Sequence, residues 1–304
     1  MGPEPLGGVD DPGGALSHLV DDPQFARFQA LVQAEAGIWL APVKKALLVA
    51  RLARRLRELG LASYRKYYER VKEDPVELVR MLDCLTTNET HFFREPRHFT
   101  FLAEEVYPRW HAEARAGTRP RAIRVWSAAC STGEEPYSLA MSLLGAFPPG
   151  SGWEIEIVAT DLSTRVLDRA RAGVWPIAKA REIPPADLKA FMLRGVGSQA
   201  GRMRAGPEIR GVVRFARLNL NDASWPGLGT FDLLFCRNVL IYFAPATKEL
   251  VVGRLLRHVG PEGLLFLGHA ESLSGMNHAL RSVLPTVYAR SGDEPPRRSR
   301  PATP

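Results

Sequence analysis

Two adjacent carboxylates, Glu134 and Glu135, follow Gly133 within the stretch VWSAACSTGEEPYSLAM, residues 125–141. A β-prone run falls into small residues, passes the glycine and enters an apolar helical pattern. That is the outline of a strand–loop–helix nucleotide site. Such a loop offers backbone N–H groups to a phosphate at a helix N-terminus, where the helix dipole favours anions. Two carboxylates there repel a phosphate. A third carboxylate, Asp161, ends a second β-prone run, WEIEIVAT (153–160), 28 residues after Gly133. An acid at that place in a dinucleotide-type fold accepts hydrogen bonds from ribose hydroxyls. Its plainer reading is the start of the next helix, since Ser163 and Thr164 follow. The glycine loop at the matching position favours the ribose.

A ligand with a ribose, no phosphate and positive charge satisfies all three carboxylates. S-adenosylmethionine has these features: its α-ammonium and sulfonium are both cationic. Acids in a first helical turn also complement the dipole, which accounts for one of the two glutamates. It does not account for a loop without a phosphate-binding lysine or a glycine series.

The elements that must position these groups are legible from about residue 121. AIRVWSA (122–128), WEIEIVAT (153–160), GVVRFARL (211–218), FDLLFC (231–236), GLLFLG (263–268) and TVYAR (286–290) are predicted strands. EEPYSLAMSLL, STRVLDRARAG and APATKELVVGRLLRHVG are predicted helices between them. The alternation implies an α/β fold with a doubly wound, Rossmann-like sheet, which binds ligands at the carboxyl ends of its strands. From about 22 to 90 the pattern is helical instead. Asp22 reads as an N-cap with Pro23 at the first helical position. Leu48, Leu52, Leu56 and Leu59 share one face of the next helix, which Gly60 ends. The expected organisation is a Gly/Pro-rich disordered tail at 1–15, a basic all-α domain at 16–90, an α/β domain at 91–292 and a disordered basic tail at 293–304.

The 304 residues are 45% hydrophobic and 24% charged, ordinary for a globular protein. No apolar run approaches the roughly 18 residues of a membrane span. MGPEPLGGVDDPGG lacks the basic and apolar parts of a secretory signal. Cys84, Cys130 and Cys236 are far apart, without metal-type spacing. The expectation is a cytoplasmic, metal-free protein. The net charge of +7 allows a nucleic acid, a membrane surface or an acidic protein as partner.

VWSAACSTGEEPYSLAM, LTTNETHFFRE (85–95), FDLLFCRNVLIYF (231–243) and GHAESL (268–273) stand in the order of four motifs of one family. In these, and in the NL pair at 219–220, the chain resembles the CheR-type chemotaxis receptor methyltransferases from about residue 22 to 290. The resemblance implies a protein-glutamate O-methyltransferase that turns S-adenosylmethionine into S-adenosylhomocysteine, with a small helical domain ahead of the methyltransferase domain. By the same resemblance, Asn88, Thr90, Arg94, Glu135, Asp161, Asn219, Leu220, Arg237 and Asn238 line the cofactor pocket. Arg94 and Tyr242 stand beside the reacting carbon. Read without the resemblance, Arg94 is a surface ion pair with Glu89 or Glu95.

Residues 44–80 carry eleven Lys/Arg against five acids, a difference of +6 and nearly the whole net charge. Such a face suits docking of the acidic methylation helices of a chemoreceptor, with Lys44, Arg51, Arg54 and Arg55 as candidates; the plainer reading is a solvated face. Within 193–218, GRMRA and RGVVRFA read as a hairpin or small inserted β-subdomain with GPE at its tip. By family resemblance, a GVG loop of this kind binds a receptor C-terminal peptide. A nucleic-acid methyltransferase is the competing reading, but the loop RNVLIYF lacks the Pro-Pro-aromatic signature of amino-methylating enzymes. A non-catalytic cofactor-binding module is the third reading, and Arg94 and Tyr242 count against it. The chain is expected to be a monomer without direct membrane insertion.

Overall fold

The computed structural model describes residues 19–273 and 280–290; the tails expected at 1–15 and 293–304 lie outside them. The chain divides into two compact units between Thr87 and Asn88, slightly before the boundary expected after residue 90.

The first unit is helical. Helix α1 (Asp22–Ala36) is capped by Asp21 rather than Asp22: the Asp21 carboxylate accepts the Gln24 N–H at 2.7 Å. Asp21 has the extended backbone that a cap requires. Asp22 is already helical and pairs with Lys45. Helix α2 (Lys45–Glu58) buries Leu48, Val49, Leu52 and Leu56. Leu59 falls just past its end, and Gly60 takes the left-handed backbone (φ 64°) that turns the chain. Helices α3 (Tyr64–Glu73) and α4 (Pro75–Leu85) start at Ser63 and Asp74, whose side chains accept first-turn N–H groups. Phe28, Leu52 and Tyr67 are wholly buried in this unit.

The second unit opens with a long helical run that the sequence patterns had not disclosed. α5 (Pro96–Phe101) passes through a wider π-type turn at Leu102–Val106 into α6 (Tyr107–Arg115). Then come β1 (Ala122–Ala128), α7 (Glu134–Ala146), β2 (Glu154–Asp161), α8 (Thr164–Ala172), β3 (Val174–Pro176), α9 (Pro185–Phe191), β4 (Met192–Arg194), β5 (Arg202–Ala205), α10 (Pro207–Gly211) and β6 (Val213–Arg217). The unit ends with β7 (Phe231–Cys236), α11 (Pro245–Leu256), β8 (Val259–Leu267), β9 (Leu280–Leu284) and β10 (Val287–Arg290).

Among the described residues the main sheet has seven strands in the order β6-β2-β1-β7-β8-β10-β9. β6, β2, β1, β7 and β8 run parallel; β10 is antiparallel to both of its neighbours. Alternate residues of each strand serve opposite faces, as a period of two requires. Ile123, Val125, Leu233 and Phe235 pack with Trp110, Leu139 and Leu143 from α6 and α7. Trp126, Ala128, Leu234 and Cys236 pack with Val251, Val252 and Leu255 of α11. With both faces covered, ligands have access at the strand ends. The chain winds outward through β2 and β6, then returns to β7 on the other side of β1. The carboxyl ends of β1 and β7 therefore form the topological switch point, the usual binding crevice of such folds.

The inserted β-subdomain differs from the hairpin expected at 193–218. The small sheet draws β3, β5 and β4 from residues 174–205, in that order and antiparallel. The GPE stretch begins α10, because Pro207 suits a first helical turn. VRFAR (213–217) joins the main sheet beside β2. No helix among the described residues is long and apolar enough to cross a membrane.

Candidate active site

β1 ends at Ala128, and the chain then turns sharply through Ala129 (φ 62°) and Ser131 (φ 50°) to Gly133 (φ 94°). Gly133 caps α7, and a Cβ there would stand 3.0 Å from that of Ala170. The tight turn brings Ser131 N–H to Asp161 Oδ2 at 2.8 Å, while Asp161 Oδ1 accepts Ser163 N–H at 2.9 Å. Asp161 is thus held at the end of β2 with its carboxylate toward the Gly133 loop. Asn219 lies two residues beyond Arg217, the register partner of Asp161. Its Oδ1 accepts Asn221 N–H, and its carbonyl accepts the Trp225 indole. Leu220 is a core residue beside Trp126 and Trp225, and its carbonyl accepts from Arg254.

The two adjacent glutamates have different partners. Glu134 is buried, accepts Thr132 Oγ1–H at 2.6 Å and pairs with Lys179 at 2.7 Å. Lys179 also donates to the Thr90 carbonyl at 2.8 Å. Glu135 accepts Ser127 Oγ–H at 2.6 Å and Arg237 Nε–H at 2.7 Å. Glu134 is therefore the structural member of the pair. Glu135 sits between β1 and the loop after β7.

The 88–95 segment is bonded to the Gly133 loop, to α7 and to the loop after β7. Ser131 Oγ donates to the Asn88 carbonyl, Phe93 N–H donates to Ser138 Oγ, and Arg237 Nη1 donates to the Arg94 carbonyl. Phe92 N–H reaches Glu182 at 2.9 Å, and its ring is buried against Trp175. Arg94 is half-buried and donates to the Glu89 carbonyl at 3.2 Å. None of the described ion pairs includes it, so the surface-pair reading with Glu89 or Glu95 does not hold.

Arg237 is the centre of a buried polar cluster, its side chain only 2% exposed. Besides Glu135 it approaches Glu95 at 3.5 Å and His98 Nδ1 at 3.4 Å. Its guanidinium therefore braces Glu135 and the 94–98 turn. Burial, reinforced by the Arg237 charge and only partly opposed by Glu95, pushes the His98 imidazole down to about 4. Burial also pushes the Cys130 and Cys236 thiols up, with Asp161 and Glu271 as the nearest further causes respectively; both are inert core thiols.

After β7, Asn238 takes a left-handed backbone (φ 59°), and a short 3-10 turn (Leu240–Tyr242) follows. Asn238 Oδ1 is buried and has no hydrogen-bond partner within the protein. Tyr242 is half-buried, its amide bonded to the Val239 carbonyl at 3.1 Å. Below this turn lies Glu271, 1% exposed, which accepts backbone N–H groups from Asn238, Val239, Leu240 and Gly268 at 2.7–2.8 Å. Phe93, Glu95, Ala129, Ser131 and Asn238 all have positive φ without being glycine. Such strain persists only where surrounding contacts over-determine it, and it gathers at functional sites.

A cofactor bearing a ribose and a cationic amino-acid end fits this donor set. Asp161 offers a carboxylate at the end of β2 and Glu135 one in the first turn of α7, and the orphaned Asn238 oxygen offers a further acceptor. Sequence reasoning missed Lys179, Ser127, Ser131, Glu95, His98 and Glu271. Ser127, Ser131, Glu95 and Glu271 lay within quoted motifs without being singled out, while Lys179 and His98 lay outside them; the partners of most of these residues are far away in the sequence, and no periodicity announces them.

The four docking candidates of the first unit divide. Lys44 and Arg54 are exposed, Arg54 bonded only to Glu58 at 2.8 Å. Arg51 donates to the Leu85 carbonyl and Thr87 Oγ1, closing the end of α4. Arg55 grips the buried Glu77 through two nitrogens at 2.8 and 2.6 Å, and Tyr67 completes that carboxylate's shell at 3.0 Å. Burial pushes the Glu77 carboxyl up, but hydrogen bonds from Arg55 and Tyr67 outweigh it and hold the group below its ordinary value. Arg51 and Arg55 are thus committed within the fold.

Comparison with known proteins follows the same division. Residues 23–86 match the family described as "CheR methyltransferase, all-alpha domain", and residues 88–289 match "CheR methyltransferase, SAM binding domain". Chemotaxis protein methyltransferase 2 of Pseudomonas aeruginosa is 43% identical over 83% of this chain and 88% of its own. The Escherichia coli chemotaxis protein methyltransferase is 39% identical over 90% of this chain and 93% of its own. That of Salmonella typhimurium is 38% identical over 90% and 92%. The two matches cover nearly the whole chain and meet where its two compact units divide, between Thr87 and Asn88, so the chain belongs to the CheR methyltransferase family and carries that family's S-adenosylmethionine-binding domain.

Proposed function

We propose that the protein transfers the methyl group of S-adenosylmethionine to glutamate side chains of chemoreceptor cytoplasmic helices, forming methyl esters. The observation that carries this reading is the bonding of the 88–95 segment to the Gly133 loop through Ser131, to α7 through Ser138 and to the loop after β7 through Arg237. These bonds support a substrate-side role for that segment beside the cofactor motif. The relatives named as chemotaxis methyltransferases supply the substrate class.

S-adenosylmethionine, when bound, supplies an electrophilic methyl on a sulfonium. Asp161 would hold its ribose, and Glu135 with Asn238 its amino-acid end, while Asn88, Thr90, Asn219, Leu220 and Arg237 shape the surrounding loops. The acceptor carboxylate has an ordinary pKa of ~4.3, so it is ionised at neutral pH and requires no base. The protein's task is alignment and exclusion of water, and alignment alone is worth several kcal/mol, about 7–11 at its upper range. Arg94 and Tyr242, both half-buried, are suited to orient the carboxylate. An arginine gripping it too tightly would lower its nucleophilicity.

Lys44 and Arg54 are the exposed members of the docking set, and the acidic receptor helix would meet them. A receptor C-terminal peptide would extend the small sheet along an edge strand; Leu193 and Val196, 53% and 80% exposed, offer apolar contacts there. Titrating such a peptide against the full chain checks that arm: no binding at millimolar concentration makes the small sheet a spacer. The test of the main reading offers labelled cofactor with a receptor fragment and with tRNA side by side; label in the tRNA alone would favour the nucleic-acid reading.

A further inference from the structure

Glu271 is a buried carboxylate in none of the described ion pairs, and it is neutralised by four backbone N–H groups alone. Oε1 accepts from Val239 at 2.8 Å and from Leu240 at 2.7 Å. Oε2 accepts from Asn238 at 2.8 Å and from Gly268 at 2.7 Å. Three of these donors belong to the turn after β7, and the fourth to the loop after β8, the adjacent strand. Burying a charge is costly unless every lone pair is used, and here each oxygen takes two donors. A helix or a sheet would satisfy the same N–H groups with carbonyls. The chain instead uses a carboxylate side chain to hold this turn. Asn238 sits in the left-handed region at its first position. The packing is close on the other side as well: a Cβ on Gly268 would come within 2.5 Å of Asn238 Nδ2 and 2.8 Å of its backbone nitrogen. Glu271 N–H in turn bonds to the Gly268 carbonyl at 2.8 Å, so the loop that carries the carboxylate is itself closed.

We infer that Glu271 is the positioning residue of the methyl-transfer site, fixing the Asn238–Tyr242 turn so that the Asn238 carboxamide and the Tyr242 ring are presented in one orientation. This rests on the proposed roles of Asn238 and Tyr242. Glu271 touches neither cofactor nor substrate; it acts through the turn. Loss of its acceptors releases the turn without altering the ribose end at Asp161. The signature is a fall in kcat larger than any change in receptor KM, with the affinity for S-adenosylhomocysteine weakened only modestly.

The experiment compares Glu271→Gln, Tyr242→Phe, Asn238→Ala and the Glu271→Gln/Tyr242→Phe double variant, each as the full chain, by kcat and KM with a receptor fragment and by calorimetry with S-adenosylhomocysteine. Glutamine keeps the size but faces two N–H groups with an NH2. Glu271→Gln is expected to lower kcat at least tenfold with receptor KM within threefold. Tyr242→Phe should cost far less in the Glu271→Gln background than in the wild type, since coupled residues are not additive. A kcat within twofold of wild type, with only a lower melting temperature, would make Glu271 a purely structural group and overturn the inference. If Glu271→Gln is impaired while Tyr242→Phe and Asn238→Ala both work at the wild-type rate, the inference falls together with the site reading beneath it. If Tyr242→Phe is impaired and Glu271→Gln is not, the inference falls alone. Should Glu271→Gln fail to fold, Gly268→Ala presses the same turn from the opposite side with the carboxylate intact. Its kcat should also drop at least tenfold, and a value within twofold of wild type overturns the inference.

Discussion

Arg237 donates from Nε to Glu135 at 2.7 Å, joining the loop after β7 to the first turn of α7 across the topological switch point. The same guanidinium holds the Arg94 carbonyl and lies 3.5 Å from Glu95. One buried side chain thus ties together three of the segments on which the proposed chemistry depends. Arg237→Ala would strand buried carboxylates without their cation, a loss of about 3–5 kcal/mol. Thermal denaturation should show it as a large fall in melting temperature. Arg237→Lys should fold better yet bind S-adenosylhomocysteine at least tenfold more weakly, because an ammonium lacks the planar fork. Wild-type affinity in the lysine variant would remove Arg237 from the cofactor account.

Asp161→Asn keeps an acceptor for one of the two N–H groups at Ser131 and Ser163 but loses the charge toward the ribose. A hydrogen bond to a charged group contributes ~1.5–3 kcal/mol, so cofactor affinity should fall tenfold or more by calorimetry. Unchanged affinity in the folded variant would sink the ribose assignment.

Charge reversal in the first unit should separate two kinds of basic residue. Lys44→Glu with Arg54→Glu should raise the receptor KM several-fold and leave cofactor affinity and melting temperature close to wild type. Added salt should mimic it, since exposed charges are screened over about 8 Å at physiological ionic strength. Arg55→Glu should instead unfold the unit, because it sets a second carboxylate against buried Glu77. If the receptor KM ignores both salt and the double reversal, the basic face is merely solvated.

Acid should loosen the second unit through His98. Its folded pKa of about 4 lies below the ordinary 6.5, so the folded state binds fewer protons than the unfolded one between those values. Stability is then fully present above pH 6.5 and is lost as pH falls toward 4, by on the order of 3 kcal/mol in all. His98→Gln should flatten that part of the stability curve. An unaltered slope between pH 6.5 and 4 in chemical denaturation would show that His98 is not the titrating group.

What could be read in advance follows from the range of each interaction. The β1 run, the Gly133 turn and Asp161 at the end of β2 are local patterns of period two and of turn residues, and they appear where the sequence places them. The all-α unit was legible from Leu48, Leu52 and Leu56 at helical spacing. The helical run from Pro96 to Arg115 was not, since it follows a polar loop and its buried face is interrupted by a π-type turn at 102–106. The small sheet was misplaced because β3 is only three residues long and pairs with a strand 26 residues away. Arg55 and Arg51 looked like surface charge because nothing in a helical pattern reveals that Glu77 and the Leu85 carbonyl lie beneath them. Glu134 and Glu135 were distinguishable only once Lys179 and Arg237 had taken their places.

The central claim is methyl transfer to glutamate carboxylates, and the stability of the product bond tests it most directly. The full chain is incubated with tritiated S-adenosylmethionine and a receptor cytoplasmic fragment, and the labelled fragment is then exposed to mild base. The account predicts label on the fragment that base releases as volatile methanol, and no labelling when the acceptor glutamates are replaced by alanine. Label that survives base on the protein, or that enters tRNA in preference to the receptor, would contradict it.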